Sequence, residues 1–315
     1  MGDRFYLSDH QGKGLPYARA LEAAGYERVG YAGEADLKMA FYDQDSGARN
    51  MGFRNGLSYL RGQGVPVFLY PHSARPFVQY DGIITPWPHT RCMITIAPGH
   101  AEIMQLIQYP CPVAVCGWAL CEQKPWKAIP IPKRKPLTVL FGPIHPNGNG
   151  WLSELDKRQN AAVYELLLQV PNIRLIVRHV KRVDLSGLWK VPGVQYVLAN
   201  PDGSTAEIDR ADVVVGHQTM AYLAIARGKP VIMFGDQSSP HSGNHPALFQ
   251  FARRYDLYRN LLKYPLEAED ARNGMELRSM LEQAMSEDVA VQWRDQFIGK
   301  PFEPVKFTEL IQSYL

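Results

Sequence analysis

Cysteine is scarce: Cys92, Cys111, Cys116 and Cys121 are the only four in 315 residues, and no two stand in the C-x-x-C spacing of a zinc site. They are expected to be structural thiols, because an unpaired cysteine packs as a small hydrophobe; neither a disulfide framework nor a metal is expected. No apolar run approaches the roughly 20 residues that cross a bilayer, so no transmembrane segment is expected. The opening "MGDRFYLSD" reads as a short strand rather than a basic segment followed by an apolar one, which points to a protein of the cytoplasm. Charge of one sign is lacking too. The 34 basic and 31 acidic side chains leave a net +3, too little to imply a polyanionic partner, although a local basic groove stays compatible with it. No repeat shorter than a domain is visible, and "GKG" at 12–14 lacks the rest of the P-loop spacing.

What is present is an alternation of apolar runs and helical patterns. With 46% hydrophobic and 21% charged residues, the chain is long enough for two domains. "FYLS" (5–8), "LKMAFY" (37–42), "VPVFLY" (65–70), "GII" (82–84), "CMITIA" (92–97) and "VAVCG" (113–117) read as strands. Helical patterns at 15–25 and around 47–62 lie between them, the rhythm of a parallel α/β sheet. This fills a first domain over 1–125. "KPWKAIPIPKRKP" (124–136) then brings four prolines and five basic residues, which no helix tolerates, and the linker is placed at 126–136.

The second domain, 137–295, restarts the pattern. "LTVLFG" (137–142) is followed by the loop "PIHPNGNGW" (143–151) and a helix with Ala161, Ala162, Tyr164, Leu166, Leu167 and Leu168 on its buried face. "NIRLIV" (172–177), "VQYVL" (194–198), "ADVVV" (211–215), a helix at about 219–227 closed by Gly228, and "PVIMF" (230–234) come next. Residues 296–315 form a C-terminal helix expected to pack back on the first domain. The fold class is therefore α/β, two Rossmann-like domains facing each other across a cleft.

In an open parallel sheet, ligands bind beyond the carboxyl ends of the strands. "ADVVVGHQTMAYLAIARGKPVIMFGD" (211–236) ends its strand on Gly216, His217, Gln218 and Thr219 at such an end. Gly216 would let a ligand approach the backbone. Gln218 and Thr219 would cap the next helix, or Thr219 alone would be its N-cap, and the helix N-terminus suits a phosphate or diphosphate. Two further loops bring His145 and Asn147, and Arg178 and His179, to the same sheet edge. Together these residues are read as a diphosphate site, while Asp212 is assigned to structure.

The stretch 211–236 resembles the donor-binding half of GT-B glycosyltransferases, in particular the CDP-glycerol glycerophosphotransferase and UDP-N-acetylglucosamine 2-epimerase relatives. It shares their Ala-Asp, apolar strand, small polar turn, helix and Gly-Lys-Pro-Val-Ile. The resemblance covers roughly 137–240. It implies a nucleotide-diphosphate sugar such as a UDP-sugar as co-substrate, no further cofactor and no obligatory metal. It gives His145 a catalytic or phosphate role and makes His72, in "LYPHSARP", a base, although Ser73 stands where the relatives carry glycine. Asp236 and Gln237 would hold donor-sugar hydroxyls by the same resemblance.

The reaction expected is transfer of the sugar to an acceptor hydroxyl, metal-independent, with a histidine as base; His10, His72 and His100 all stand at strand ends of the first domain. The acceptor is left open among a glycan, a lipid-linked precursor and a nucleic acid. Alternatives are a DNA modified-base or other nucleic-acid-directed transferase using "PIPKRKP", "RHVKR" and "FARRYDLYRN", a CDP-polyol phosphotransferase, a sugar-nucleotide epimerase, and a non-catalytic nucleotide-sugar binder. His241 and His245 are not read as a metal pair, since Ser242, Gly243 and Asn244 between them argue against a helix.

Overall fold

Strands that are apolar at successive positions rather than alternate ones need cover on both faces, and parallel sheets flanked by helices provide it. The computed structural model describes residues 3–9, 12–34, 36–43, 59–60, 62–71, 90–106, 111–131, 135–145, 154–179, 188–198, 205–235 and 263–315. The chain divides into two units, Met1–Glu122 with Asp295–Leu315, and Gln123–Arg294. Among the described residues no helix is long and apolar enough to cross a membrane.

The first unit contains β1 (Arg4–Leu7), α1 (Leu15–Ala23), β2 (Glu27–Val29), β3 (Leu37–Asp43), β4 (Val67–Tyr70), β5 (Thr90–Thr95), α2 (Pro98–Leu106) and β6 (Val113–Val115). Its six strands are all parallel, in the order β2-β1-β3-β4-β5-β6. The short β2 is an addition to the sequence-based reading. "GII" and most of the helical stretch at 47–62 lie outside the described residues. Asp9, just past β1, accepts a hydrogen bond from Gly14 N at 2.8 Å and so closes the turn into α1.

The second unit contains β7 (Leu137–Gly142), α3 (Glu154–Gln169), β8 (Ile173–His179), β9 (Gln195–Leu198), α4 (Ala206–Arg210), β10 (Val213–Gly216), α5 (Gln218–Ala226), β11 (Val231–Met233) and α6 (Gly274–Ser286). Its five strands are parallel in the order β11-β10-β7-β8-β9. Counted within the unit this is 3-2-1-4-5, the doubly wound order, and the direction of winding reverses between β7 and β10. Asp212 ties the two together at their start, its carboxylate accepting from Thr138 N at 2.8 Å while Thr138 O accepts from its own N–H at 3.0 Å. Gly228, at φ +70°, ends α5 in the left-handed region and donates to Ile225 O.

One helix face differs from the sequence-based reading. The buried side of α3 is Asp156, Asn160, Val163, Tyr164 and Leu167, whereas Ala162 and Leu168 are exposed. The 3.6-residue repeat groups 156, 160, 163, 164 and 167, so two polar residues share the core face and a run of adjacent leucines cannot.

After α7 (Val291–Phe297), the chain returns to the first unit as α8 (Pro304–Tyr314), which lies against α1. Phe307 and Ile311 enter the core formed by Phe5, Tyr17, Phe41 and Phe68. The Phe307 ring stands 5.4 Å from Tyr17 and 6.2 Å from Phe41. Phe307→Ala is expected to lower unfolding free energy by about 3–5 kcal/mol in urea titration; a loss under about 1 kcal/mol would mean that α8 does not close this core.

Candidate functional site

Strand β7 and strand β10 end side by side, with Gly142 opposite Gly216. A Cβ on Gly142 would overlap the Met220 side chain, and one on Gly216 would stand 3.3 Å from Ala221 N. Both glycines therefore let the first turn of α5 lie against the strand ends. The close approach that sequence reasoning reserved at Gly216 for a ligand is taken by the protein's own helix.

His217 is the N-cap residue of α5, at φ −111° and ψ 137°, and its own side chain makes no capping hydrogen bond. This corrects the expectation for Thr219, which is half-buried inside the first turn. The sequence offered a threonine that caps well, but the helix begins at Gln218, ahead of Thr219, which therefore falls inside the first turn. His217 is buried, and its Nδ1 lies 2.9 Å from Phe234 O. A carbonyl oxygen only accepts, so Nδ1 carries the proton and donates. The imidazole is thereby fixed in orientation between β10 and the end of β11, with its ring tilted at 54° against the Phe234 ring, centroids 5.7 Å apart.

A third strand end completes the group. Gly235, at φ +74°, follows β11, and a Cβ there would stand 2.7 Å from His217 Nδ1 and 3.3 Å from Ile144 Cδ1. Ile144 belongs to the loop after β7. The ends of β7, β10 and β11 thus meet at one point. Gly235 N donates to Glu269 Oε1 at 2.5 Å, which brings a carboxylate to the same edge. Glu269 was missed from sequence. It arrives because Glu267 pairs with Met233 as a parallel bridge, followed by a 3-10 turn at Ala268–Asp270, a placement that no local motif announces.

The residues named from sequence are distributed as follows. His145 is exposed directly beyond Ile144. Arg178 is one strand removed from the reversal point, and its Nε lies 3.9 Å from Glu207 Oε2 on α4, with only 11% of its side chain exposed. Burial lowers its pKa, opposed by the Glu207 carboxylate. His179, last in β8 opposite Leu198, is half-buried and faces the other side of the strand, so Arg178 and His179 do not turn the same way. His10, His72, Asn147, Asp236, Gln237, His241 and His245 lie outside the described residues, as does the side chain of Gln218.

His100 is corrected. It sits in the first turn of α2, 4% exposed, 6.2 Å from the Phe297 ring, and desolvation lowers its pKa to about 3. A ring so enclosed does not reach an acceptor hydroxyl.

The first unit also holds a cavity of about 590 Å³ at the carboxyl ends of β5 and β6, closed on its other side by the chain entering α8. Pro98, Val115, Pro301, Phe307 and Leu310 supply its apolar wall. Lys306 on its rim is paired with Glu303 at 2.8 Å.

No protein-family model matches the chain, and no curated protein matches it by sequence. Solved structures do. Staphylococcus aureus MnaA, solved with UDP, superposes with TM-score 0.59 at 12% identity, over 100% of this chain and 97% of that one. The glycosyltransferase SnogD of Streptomyces nogalater gives 0.54 at 14% identity, over 99% and 100%. The kitacinnamycin glycotransferase gives 0.54 at 12%, over 99% and 98%. The chain has the GT-B fold. In GT-B terms β7–β11 form the second Rossmann-like unit, and the group at Ile144, His217 and Gly235 stands at its winding reversal.

The His100 assignment has a pH signature. The unfolded imidazole takes a proton near pH 6.5 and the buried one only near 3, so the unfolded state holds the extra proton in between. Stability is intact above about pH 6.5 and falls on acidification, by up to about 1.4 kcal/mol per pH unit from this group. His100→Leu should flatten that slope in denaturant titrations from pH 7 to 4; an unchanged slope would refute the buried neutral ring.

Proposed function

We propose that the protein is a glycosyltransferase that moves a sugar from a nucleoside-diphosphate donor, with UDP the first candidate, to an acceptor hydroxyl. The observation that carries this reading is the meeting of three strand ends at a winding reversal beside the N-terminus of α5, whose N-cap residue His217 does not cap it with its side chain. The N–H groups of the first turn of α5, with the positive end of its dipole, suit a diphosphate. His145 adds an exposed imidazole at the same edge, and in its protonated form it stabilises the charge that develops on the departing diphosphate. Donor hydroxyls would be met by the Glu269 carboxylate, and by Asp236 and Gln237 as read from sequence. The base that takes the acceptor proton is His10 or His72; Arg178 serves the site through the charge it shares with Glu207 rather than as a first contact.

The neighbours support this reading by their fold, and MnaA was solved with UDP. The acceptor is inferred to carry an apolar portion, because the cavity of the first unit has an apolar wall at the carboxyl edge of its sheet, the edge at which open α/β sheets take ligands.

UDP should raise the thermal midpoint of the wild-type protein, and UDP, CDP, GDP, ADP and dTDP compared at equal concentration should rank with UDP first. His145→Ala should cut the shift at constant fold. Gly235→Ala, which adds a Cβ against His217 at a positive φ, should abolish it with a stability loss of about 1–3 kcal/mol. If none of the five diphosphates shifts the folded wild type, the transferase reading falls. For the acceptor, Leu310→Trp should leave UDP affinity unchanged and depress turnover with apolar acceptors; equal turnover would remove the cavity from the reaction.

A further inference from the structure

The chain entering the loop that presents His145 is gripped from helix α3. Asn160, on the buried face of α3, has no exposed surface, and its carboxamide pairs twice with one residue of that loop. Oδ1 accepts from Ile144 N at 2.7 Å, and Nδ2 donates to Ile144 O at 2.8 Å. This is a side chain acting as one rung of a strand ladder. With both backbone groups of residue 144 engaged, the peptide planes on either side of it are fixed, and the Cα of His145 lies a single peptide, about 3.8 Å, further on.

Ile144 is also the residue whose side chain reaches the Gly235 and His217 group, 3.3 Å from where a Gly235 Cβ would be. One residue is thus gripped from the α3 side by hydrogen bonds and from the β11 side by packing, and the next residue is exposed at the site. An amide buried on the helix face that carries Asp156, Val163, Tyr164 and Leu167 must be hydrogen-bonded to be tolerated there. Hydrophobic residues would cover the sheet as well; what they would not do is fix a loop.

We propose that Asn160 is a positioning residue, which sets the orientation of the loop after β7 and thereby holds His145 at the donor site. The part that concerns donor binding rests on the glycosyltransferase reading; the part that concerns the loop does not.

The test uses Asn160→Asp with the full chain. The carboxylate keeps the acceptor for Ile144 N but turns a charged oxygen towards Ile144 O, while its protonated form restores the donor. At pH 8 the His145 ring signals, assigned by their loss in His145→Ala, should move in ligand-free NMR spectra. UDP affinity should fall about tenfold. At pH 5.5 the ratio of variant to wild-type affinity should return towards one, which a merely structural loss would not do. Val163→Ala, about one turn away on the same buried face, is the control for general destabilisation.

Asn160→Ser, smaller and uncharged, is read in the same way if Asn160→Asp does not fold. His145 signals unmoved in a folded Asn160 variant would overturn the proposal. So would equal displacement in Val163→Ala. If the signals move but the wild type binds no UDP, the loop-positioning role stands and the donor-site reading is the one that fails.

Discussion

Strand β7 and strand β10 run side by side at the winding reversal, and where α5 begins against their carboxyl ends neither strand carries a side chain. Gly142 and Gly216 are opposite one another there. A methyl on either would press into the first turn of α5, through Met220 in one case and through the backbone of Ala221 in the other. Met220 would have to swing aside in the first case, and the backbone of the first turn would have to give by a few tenths of an ångström in the second. Everything proposed for anion binding follows from that backbone approach.

Around this point the protein divides rigidity and exposure between neighbouring residues. Ile144 is buried and doubly bonded, and His145 is exposed. His217 is buried and bonded to Phe234 O, and α5 begins immediately after it. Each group that would meet a ligand thus follows directly on one that the core holds in place. Such an arrangement keeps reacting groups in position without binding energy being spent on ordering them, the usual requirement for electrostatic stabilisation of a leaving group.

How much of this was legible in the sequence depends on whether the determinant was local. Runs such as Val213–Val215 and Leu137–Phe141 disclose buried parallel strands because every position must be apolar, and Gly228 before Lys229 and Pro230 marks the end of α5 from its own chemistry. The winding reversal follows from strand order, which no local stretch of sequence records. Asn160 had a signal that was not used: Asp156 and Asn160 repeat at four residues on the face that also carries Val163, Tyr164 and Leu167, and polar residues on a core face have partners. Glu269 had none, because its position depends on a pairing between Met233 and Glu267 that is distant in sequence. His100 was misread since a loop-like "PGHAE" gives no sign that the Phe297 helix will cover it.

The contrast between a fold matched over nearly the whole chain and identities of 12–14% shows what selection on this architecture leaves free. Parallel strands buried on both faces ask for apolar residues of suitable volume, and the reversal point asks for small residues at strand ends; neither demand names a particular sequence. Chemistry is carried instead by the few side chains at the carboxyl edge, and these are the positions at which similarity of fold says least. A fold shared at this distance therefore leaves the chemistry open, and the proposed donor stands or falls on whether α5, His145 and Glu269 together fit a diphosphate and the hydroxyls next to it.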